Sequence, residues 1–229
     1  MVDRISGIID KALSENRSSL LENEALELMR EAGIPIPKYK FIDDPEDVDV
    51  EFPPPYVLKI VSPQIIHKTD VGGVELGVGR DELNVKIIEL RDRVLKRSPG
   101  IEVRGYIIME MVKKGVETIV GLTRDPQFGP VVAFGLGGIF VEIYKDVSFR
   151  LAPVDKEDAI DMIKEVKAFK ILSGYRGMPP ADIDSIAEVI VKVGELGVKY
   201  GDISEIDLNP LIVYQDGCVA VDARVILVR

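Results

Sequence analysis

Three strand-like runs follow one another closely in the middle of the chain, and they limit the folds that are open to it. The runs are 106–112 (YIIMEMV), 117–125 (ETIVGLTRD) and 130–137 (PVVAFGLG). Each is rich in β-branched and apolar residues, and short polar or glycine-containing segments separate them. Connections this short favour hairpins, so part of the fold is predicted to be an antiparallel sheet.

Helical patterns flank these runs, and further strands complete the sheets. Between 81 and 97, Leu83, Ile87, Leu90 and Val94 share one helical face. Other helices are predicted at 3–15, 19–32, 155–168 and 180–196, and other strands at 38–42, 56–61, 74–78, 205–214 and 218–228. Hairpins mixed with helical crossovers predict an α+β fold with mostly antiparallel or mixed sheets.

Charge and composition exclude several classes of partner. The 229 residues carry a formal net charge of −10, whereas binding to a nucleic-acid backbone needs clustered Lys and Arg. No apolar run is long enough to span a bilayer, and the acidic, amphipathic N-terminus resembles neither a signal peptide nor a transit peptide. We therefore predict a cytoplasmic protein with no membrane or nucleic-acid partner. The single cysteine, Cys218, lies in an apolar run and is expected to be a buried structural thiol.

The stretch KIVSPQIIHKTDVGGV (59–74) contains the only histidine of the chain, His67. The pair Gly72-Gly73 allows the backbone to turn tightly and to bring N–H groups close to a ligand. Lys59, on the preceding strand, can place a point charge near the same phosphates. The stretch is neither a Walker A motif nor a G-x-G-x-x-G fingerprint. Taken alone, the glycines also fit a simple hairpin turn and the histidine a hydrogen-bonded loop residue.

A strand that runs into a hinge follows at 106–112. An adenine ring needs a backbone donor and acceptor between apolar walls, and Glu110, Met111 and Val112 can offer both. A second acid, Glu117, comes after a glycine and can accept hydrogen bonds from ribose hydroxyls. The alternative is that the methionines belong to the core and the two acids are solvated.

A second glycine cluster, at 135–138, follows an apolar strand. Three glycines in four positions indicate a backbone that another group approaches closely. Arg124 and Arg150 are the candidates for holding phosphate here, because their forked donors match its oxygens. For Arg124, beside Asp125, an exposed ion pair is the alternative.

Oxygen ligands are concentrated near the C-terminus. Asp207 and Asn209 are two residues apart on one predicted strand and so lie on the same face. Asp222 interrupts the apolar run of the predicted partner strand. Carboxylate and amide oxygens suit Mg²⁺, which also binds nucleotide phosphates. The alternative for Asn209-Pro210 is a turn.

Taken in order, a strand lysine, a glycine loop, an adenine hinge and a closing Asp/Asn set resemble an ATP-grasp fold. Three stretches narrow the resemblance: LKIVSPQIIHKTDVGGVELGV, MEMVKKGVETIVGLTRDPQFGPVVAFGLGGIFVEIYKDVSFRLAP and EIDLNPLIV. They resemble the β subunits of ADP-forming acetyl-CoA synthetases, also called acetate–CoA ligases, and the likeness covers nearly the whole chain.

The resemblance implies an architecture of two α+β subdomains enclosing a nucleotide cleft. Residues 1–18 would form an N-terminal helix. The first ATP-grasp subdomain would span 19–112 and include a phosphohistidine loop at 62–73. The second would span 113–229 and carry the strands for Mg²⁺ and nucleotide.

The resemblance also implies a phosphoryl relay. In that family an α subunit binds CoA and the acyl group and forms an acyl phosphate. The phosphoryl group then passes to a histidine of α, next to a histidine of the β subunit, matched here by His67, and finally to ADP; an α₂β₂ complex is implied. The implied ATP/ADP-binding residues are Lys59, Gly72, Gly73, Val74, Glu110, Met111, Val112, Glu117, Arg124, Gly137, Gly138, Glu142 and Arg150, and the implied Mg²⁺ ligands are Asn209, Asp222 and Asp207.

Two other functions fit parts of the same pattern. A succinyl-CoA-synthetase-type ligase shares the fold and the metal strands, but its equivalent loop relies on no histidine of its own, so His67 favours the acetyl type. A non-catalytic ATP-grasp module that senses nucleotide would be favoured by loss of the loop histidine or of the metal-binding residues. All of these residues are present in the chain.

Overall fold

The chain forms two compact units in a computed structural model. Unit 1 comprises Met1–Ile36 together with Lys114–Arg229, and unit 2 comprises Pro37–Lys113. The structure describes residues 3–45, 48–65, 68–138, 146–175, 177 and 179–228. Within these ranges, no helix has both the length and the apolar character needed to cross a membrane.

Unit 2 is a four-stranded antiparallel sheet covered by one helix. The strand order is β1-β4-β2-β3. The strands are β1 (Tyr39–Ile42), β2 (Tyr56–Val61), β3 (Val74–Val78) and β4 (Gly105–Glu110), and the helix is α3 (Leu83–Arg97). The four apolar residues predicted to share a face of α3 are all buried, in one core with Leu58 and Ile60 of β2. This packing fixes α3 to the sheet, and segment 62–73 connects the paired strands β2 and β3.

Unit 1 contains a six-stranded sheet in which every described pair is antiparallel. The order is β10-β8-β5-β6-β7, and β9 also pairs with β8. The strands are β5 (Val116–Asp125), β6 (Gly129–Leu136), β7 (Val147–Leu151), β8 (Ile203–Val213), β9 (Cys218–Ala220) and β10 (Arg224–Leu227). The helices are α1 (Arg4–Ser14), α2 (Glu22–Glu31), α4 (Lys156–Glu165), α5 (Phe169–Leu172) and α6 (Ile183–Lys199).

Helix α6 covers one face of the unit 1 sheet at close range. A Cβ added at Gly197 would lie 2.3 Å from Leu122 Cδ1, so only glycine allows this approach. Val120 and Leu122 are therefore buried on the helix side, and the alternate residues of β5, from Glu117 to Thr123, face away from it. This second face is half-buried or exposed along β5.

Most predicted elements are confirmed, and the differences have tertiary causes. Strands 56–61 and 74–78 are confirmed at both ends. The helix predicted at 19–32 begins at Glu22, because Leu20 N–H donates to Val225 O (3.0 Å) and keeps the preceding backbone against β10. The helix predicted at 155–168 ends at Glu165, where Val166 is extended. The run 218–228 forms two strands rather than one, and β7 was not predicted.

The two units differ from the subdomains predicted from the sequence in the position of residues 19–36. These residues were placed in the first subdomain, but they pack in unit 1. Helix α2 contacts β10, and Ala220 N–H donates to Pro35 O (2.9 Å), so the segment is held by the C-terminal strands. The boundary predicted at 112/113 lies one residue before the division between the units.

Candidate functional site

Segment 62–73 is held at its N-terminal limb by a side-chain network. Ser62 Oγ accepts from Gln64 N–H (3.3 Å), and Gln64 Oε1 accepts from Glu102 N–H (2.9 Å) and from the Ser62 hydroxyl (3.2 Å). Gln64 thus links the segment to the chain that enters β4. His67, the predicted phosphoryl carrier, lies outside the described residues.

The C-terminal limb of the segment closes on itself in a tight turn. Gly73 N–H donates to Lys68 O (2.7 Å), Gly72 N–H donates to Thr69 O (3.0 Å), and Gly72 has φ 71°. A Cβ at Gly73 would lie 2.8 Å from Ile60 Cγ2, so both glycines are required by the turn and its packing. Because both N–H groups bond to carbonyls of the segment itself, they do not form the phosphate-binding backbone that the sequence predicted in this conformation.

Arg93 of α3 contacts this turn and was not identified from the sequence. Its Nε donates to Gly72 O at 2.8 Å, and its Nη2 lies 2.7 Å from Glu75 Oε2. Arg97 Nη1 would lie 2.7 Å from a Cβ at Gly72. Two guanidinium groups therefore lie against one glycine beside the segment that carries His67.

Lys59 and the hinge residues lie at the strands of unit 2. Lys59 is only 6% exposed and pairs in register with Val74 on one side and Ile107 on the other. A charged group is costly to bury, so this lysine occupies a position that apolar side chains normally fill. Val74, also predicted to contact nucleotide, is half-buried at the start of β3.

Two of the three N–H groups of the hinge after β4 bond to backbone carbonyls of the described residues. Glu110 N–H donates to Lys38 O (2.8 Å) and Met111 N–H to Pro55 O (3.2 Å), whereas Val112 N–H has no partner among the described residues. Met111 is 41% exposed, so it is not a core residue, although Met109 is buried. Among the described residues, Val112 is therefore the hinge residue whose N–H suits an adenine edge.

In unit 1, Glu117 lies beside the second glycine cluster. Gly137 N–H donates to Glu117 O (2.8 Å), and a Cβ at Gly137 would lie 3.1 Å from the Glu117 Cβ. Gly138 has φ 61°, and no atom of the described residues lies within 4 Å of a Cβ placed there. The predicted close approach at this cluster is thus made by the backbone of β5, and Glu117 itself is exposed on the face away from α6. Glu142 lies outside the described residues.

Asn209 and Asp222 share one register position in the unit 1 sheet. Leu211 pairs with Ala220 and Asp207 with Arg224, and one uninterrupted antiparallel register connects these pairs and places Asn209 opposite Asp222. Val221 N–H donates to Pro210 O (3.2 Å) within the gap between β9 and β10. Side chains of opposed residues lie on the same face with Cβ atoms about 5 Å apart. Asn209 and Asp222 are therefore placed to bind one cation together.

The chemistry of this donor set fits Mg²⁺. In the described part of the chain, no three His, Cys, Asp or Glu side chains come together as a metal site. An amide and a carboxylate leave several positions of an octahedral ion for phosphate oxygens and water, as Mg²⁺ sites usually do. Asp207 differs from the other two, because Arg224 Nη2 lies 3.8 Å from Asp207 Oδ2 and also pairs with Glu205. Arg224, not identified from the sequence, thus offsets the charge of Asp207.

The two arginines predicted to hold phosphate have structural partners instead. Arg124 donates to the carbonyl oxygens of Gly197 (2.6 Å) and Tyr200 (3.2 Å), at the end of α6, and of Ile203 (3.1 Å), at the start of β8. Arg150 forms a bidentate ion pair with Glu165. These hydrogen bonds raise the pKa of Arg150 and lower the pKa of Glu165.

Both arginines are therefore left out of the proposed phosphate site. For Arg124 the alternative of an ion pair with the neighbouring acid does not hold either, since its partners are backbone carbonyls. The reason is that the end of α6 and the start of β8, both distant in the sequence, bring backbone carbonyls to its guanidinium.

Cys218 is a buried free thiol, as predicted. Burial raises the pKa of its side chain to about 12, with smaller contributions from nearby carboxylates. The thiolate needed for nucleophilic chemistry is thus absent at neutral pH.

Known proteins are similar to this chain in both sequence and fold. The model of the ATP-grasp domain family matches residues 11–227. The chain is 50% identical over 224 residues to the β subunit of acetate–CoA ligase (ADP-forming) I of Pyrococcus furiosus, which covers 96% of each protein. This chain belongs to the ATP-grasp family of ADP-forming acetate–CoA ligases. The family predicted from the three sequence stretches is confirmed.

A second relative has a different organisation. The chain is 41% identical over 228 residues to acetate–CoA ligase (ADP-forming) I of Archaeoglobus fulgidus, which covers 98% of this chain but 33% of the relative. The same ATP-grasp segment therefore occurs as a subunit of nearly equal length in one relative and as about a third of a longer chain in the other.

Solved structures of one further protein confirm the ATP-grasp fold. The dinucleotide-forming acetyl-coenzyme A synthetase 1 of Ca. Korarchaeum cryptofilum, in complex with coenzyme A, Ca-AMPCP and HgCl⁺, is 45% identical, with a TM-score of 0.93 over 97% of this chain and 99% of that one. Another complex (44%, TM-score 0.91; 98% and 100% covered) has a phosphorylated phosphohistidine segment in a site I orientation. A third, with Mg-AMPPCP (44%, TM-score 0.86; 98% and 100% covered), has that segment pointing towards the nucleotide-binding site.

Proposed function

We propose that this chain is the nucleotide-binding β subunit of an ADP-forming acyl-CoA synthetase that acts on acetyl-CoA. The reaction is acyl-CoA + ADP + phosphate giving acid + ATP + CoA, and it is reversible. The observation that carries this proposal is the 50% identity to a β subunit of such a ligase along 96% of both proteins. The presence of His67 in the matching segment supports a catalytic role over nucleotide sensing.

His67 is the covalent carrier of the phosphoryl group in this proposal. A ring nitrogen attacks the phosphorus of a phosphohistidine on the partner, and a new P–N bond forms as the partner's P–N bond breaks. A β-phosphate oxygen of ADP then attacks, the P–N bond on His67 breaks, and the terminal P–O bond of ATP forms. A neutral imidazole is nucleophilic near pH 7, and its P–N adduct keeps enough energy to phosphorylate ADP.

Several predicted residues have roles in binding the nucleotide. Lys59 supplies a cation for phosphate and Val112 N–H a donor for the adenine edge, while Glu117 accepts from the ribose hydroxyls. Asn209 and Asp222 hold Mg²⁺, which when bound neutralises phosphate charge during transfer. Positioning and charge neutralisation are the main tasks, because phosphoryl transfer asks little covalent chemistry of the remaining protein.

Segment 62–73 changes orientation during the cycle. The segment of the Ca. Korarchaeum cryptofilum protein occurs in two orientations, one of them towards nucleotide, and this chain matches that protein over almost its full length. A histidine that receives the phosphoryl group from one subunit and passes it to ADP on another has to reach both sites. We assign the same two positions to the segment that contains His67.

The CoA and acyl sites belong to an α subunit, in an α₂β₂ complex. The relative from Pyrococcus furiosus is named a β subunit, which supports a separate partner, and the longer relative from Archaeoglobus fulgidus supports the same division within one chain. The identity of the acid is then determined mainly by the partner.

The test is acyl-CoA-dependent ATP formation by a reconstituted complex. The chain, mixed with its α subunit, acetyl-CoA, ADP, phosphate and Mg²⁺, is expected to form ATP, whereas neither subunit alone does so. Replacement of His67 by Asn should abolish the reaction while ADP binding remains. A complex that forms no ATP, but whose β subunit still binds nucleotide, would instead indicate a sensing module.

A further inference from the structure

The segment that contains His67 is anchored to unit 2 at both ends, and the two anchors differ in strength. At the N-terminal limb the bonds are between neutral groups, since Gln64 Oε1 accepts from Glu102 N–H at 2.9 Å. At the C-terminal limb a guanidinium donates to the Gly72 carbonyl at 2.8 Å. Hydrogen bonds from a charged donor are about twice as strong as neutral ones. Arg93 is thus the stronger of the two anchors.

The position of Arg93 is fixed by the packing of α3. The neighbouring residues Leu90 and Val94 are completely buried against the sheet of unit 2, so the helix cannot shift without disturbing the core. Glu75, on β3, holds the other end of the guanidinium at 2.7 Å. One side chain therefore connects helix α3, strand β3 and the carbonyl of the turn.

The contact with Glu75 orients the guanidinium of Arg93 but contributes little to stability. Both side chains are about one-third exposed, at 33% and 29%, and ion pairs of this kind contribute little net free energy. A planar guanidinium held at one edge, however, presents its Nε–H in a fixed direction. The geometry thus aims the donor at Gly72 O.

Backbone hydrogen bonds also restrain the turn. Its described internal bonds are Gly72 N–H to Thr69 O and Gly73 N–H to Lys68 O, and Gly73 O accepts from Ile60 N–H at 2.9 Å. The first two bonds shape the turn, and the third joins Gly73 to β2. Arg93 is the side chain of the described residues that fixes the Gly72 carbonyl to the helix.

We propose that Arg93 is a positioning residue that fixes the C-terminal base of the phosphohistidine segment, so that the segment reorients about a defined point at Gly72. This inference rests on the proposed function, in which His67 carries the phosphoryl group. Arg93 touches neither substrate nor reacting atoms; it acts through the turn. A fixed base limits the positions open to the carrier, and loss of about 1 Å of precision in such placement can slow transfer about 100-fold.

The test compares three arginine variants of the full-length chain. Arg93→Gln removes both contacts, and Arg93→Lys keeps one donor for Gly72 O without the fork that also reaches Glu75. Arg91→Gln is the matched control, because Arg91 lies on the same helix and pairs only with its neighbour Asp92 in the described structure. The measurements are the rate of phosphate transfer from labelled ATP, the dissociation constant of ADP, Tm, and amide hydrogen exchange in residues 68–73.

Arg93→Gln is expected to slow transfer about 10- to 100-fold. Its ADP affinity and Tm should match those of Arg91→Gln, and its amides in 68–73 should exchange faster. Arg93→Lys should give an intermediate rate. Equal transfer rates in Arg93→Gln and Arg91→Gln overturn the proposal, as does a slower rate accompanied by weaker ADP binding or a lower Tm.

Failure of the role proposed for Arg93 can be distinguished from failure of the proposed function. If the unmodified chain takes up no phosphate, the relay through His67 is wrong, and the exchange rates alone then decide the role of Arg93. Faster exchange in Arg93→Gln than in Arg91→Gln would still support the anchor, and equal exchange would overturn it.

Discussion

Asn209 and Asp222 lie opposite each other in the unit 1 sheet, because a single antiparallel register runs from the β8–β9 pairs to the β8–β10 pairs. The strand opposite β8 is interrupted at 221–223, so the half-buried Asp222 lies between β9 and β10 rather than within a strand. Asp207 lies on the same face but has Arg224 beside it. Asn209 and Asp222 therefore fit a cation site, whereas Arg224 already offsets the charge of Asp207.

Asp222→Asn is expected to weaken Mg²⁺ binding about 10- to 100-fold, because a neutral amide replaces the carboxylate that binds a hard cation. Measuring ATP formation against Mg²⁺ concentration should show a higher half-saturating concentration, with partial recovery at high Mg²⁺. Asp216→Asn, in the exposed hairpin turn, is the control and should leave the curve unchanged. An unchanged curve for Asp222→Asn would remove this residue from the metal site.

Arg124→Met is expected to lower the free energy of unfolding by about 1–3 kcal/mol, because backbone carbonyls at the end of α6 and the start of β8 lose a donor. Arg150→Met should change it by less than about 0.5 kcal/mol, since its pair with Glu165 is on the surface. Urea denaturation of both variants checks this. A large rise in the KM for ADP with unchanged stability in Arg124→Met would restore the phosphate-binding role predicted from the sequence.

Cys218 should not react with a thiol reagent in the folded protein at pH 8, because burial raises its pKa to about 12. In the unfolded chain the thiol titrates near pH 9, so between these values the folded state holds a proton that the unfolded state has lost. Stability should therefore fall as pH rises above about 9, and less so in Cys218→Ala. Rapid modification of the native protein, or identical pH dependence in the two proteins, would contradict the buried state.

The strands and the helical face of α3 could be predicted because they depend on local periodicity. The apolar run 56–61 and the spacing of Leu83 and Ile87 are visible in any short window. The start of α2 could not be predicted, since Leu20 N–H and Ser18 O are both bonded to the backbone of β10, some two hundred residues away. Propensity alone cannot anticipate such a tertiary hydrogen bond.

Some residues of the candidate site could likewise be predicted from the sequence, and others could not. Asn209 and Asp222 could be selected as candidates because carboxylate and amide side chains are unusual within apolar strands. The partners of Arg124 and Arg93 were not, because an arginine in the sequence does not reveal whether it meets phosphate, a carboxylate or a helix end. For Arg124, the nearest partner carbonyl is 73 residues away. Only the fold distinguishes these roles.

The most direct test of the account is the site of phosphorylation in the isolated chain. Incubated with γ-labelled ATP and Mg²⁺, the chain is expected to gain phosphate that is labile in acid and stable in base, located on His67 and transferable to added ADP. His67→Asn should gain none while binding ADP as before. Label that is absent from the unmodified chain, or that persists in His67→Asn, would contradict the phosphoryl relay.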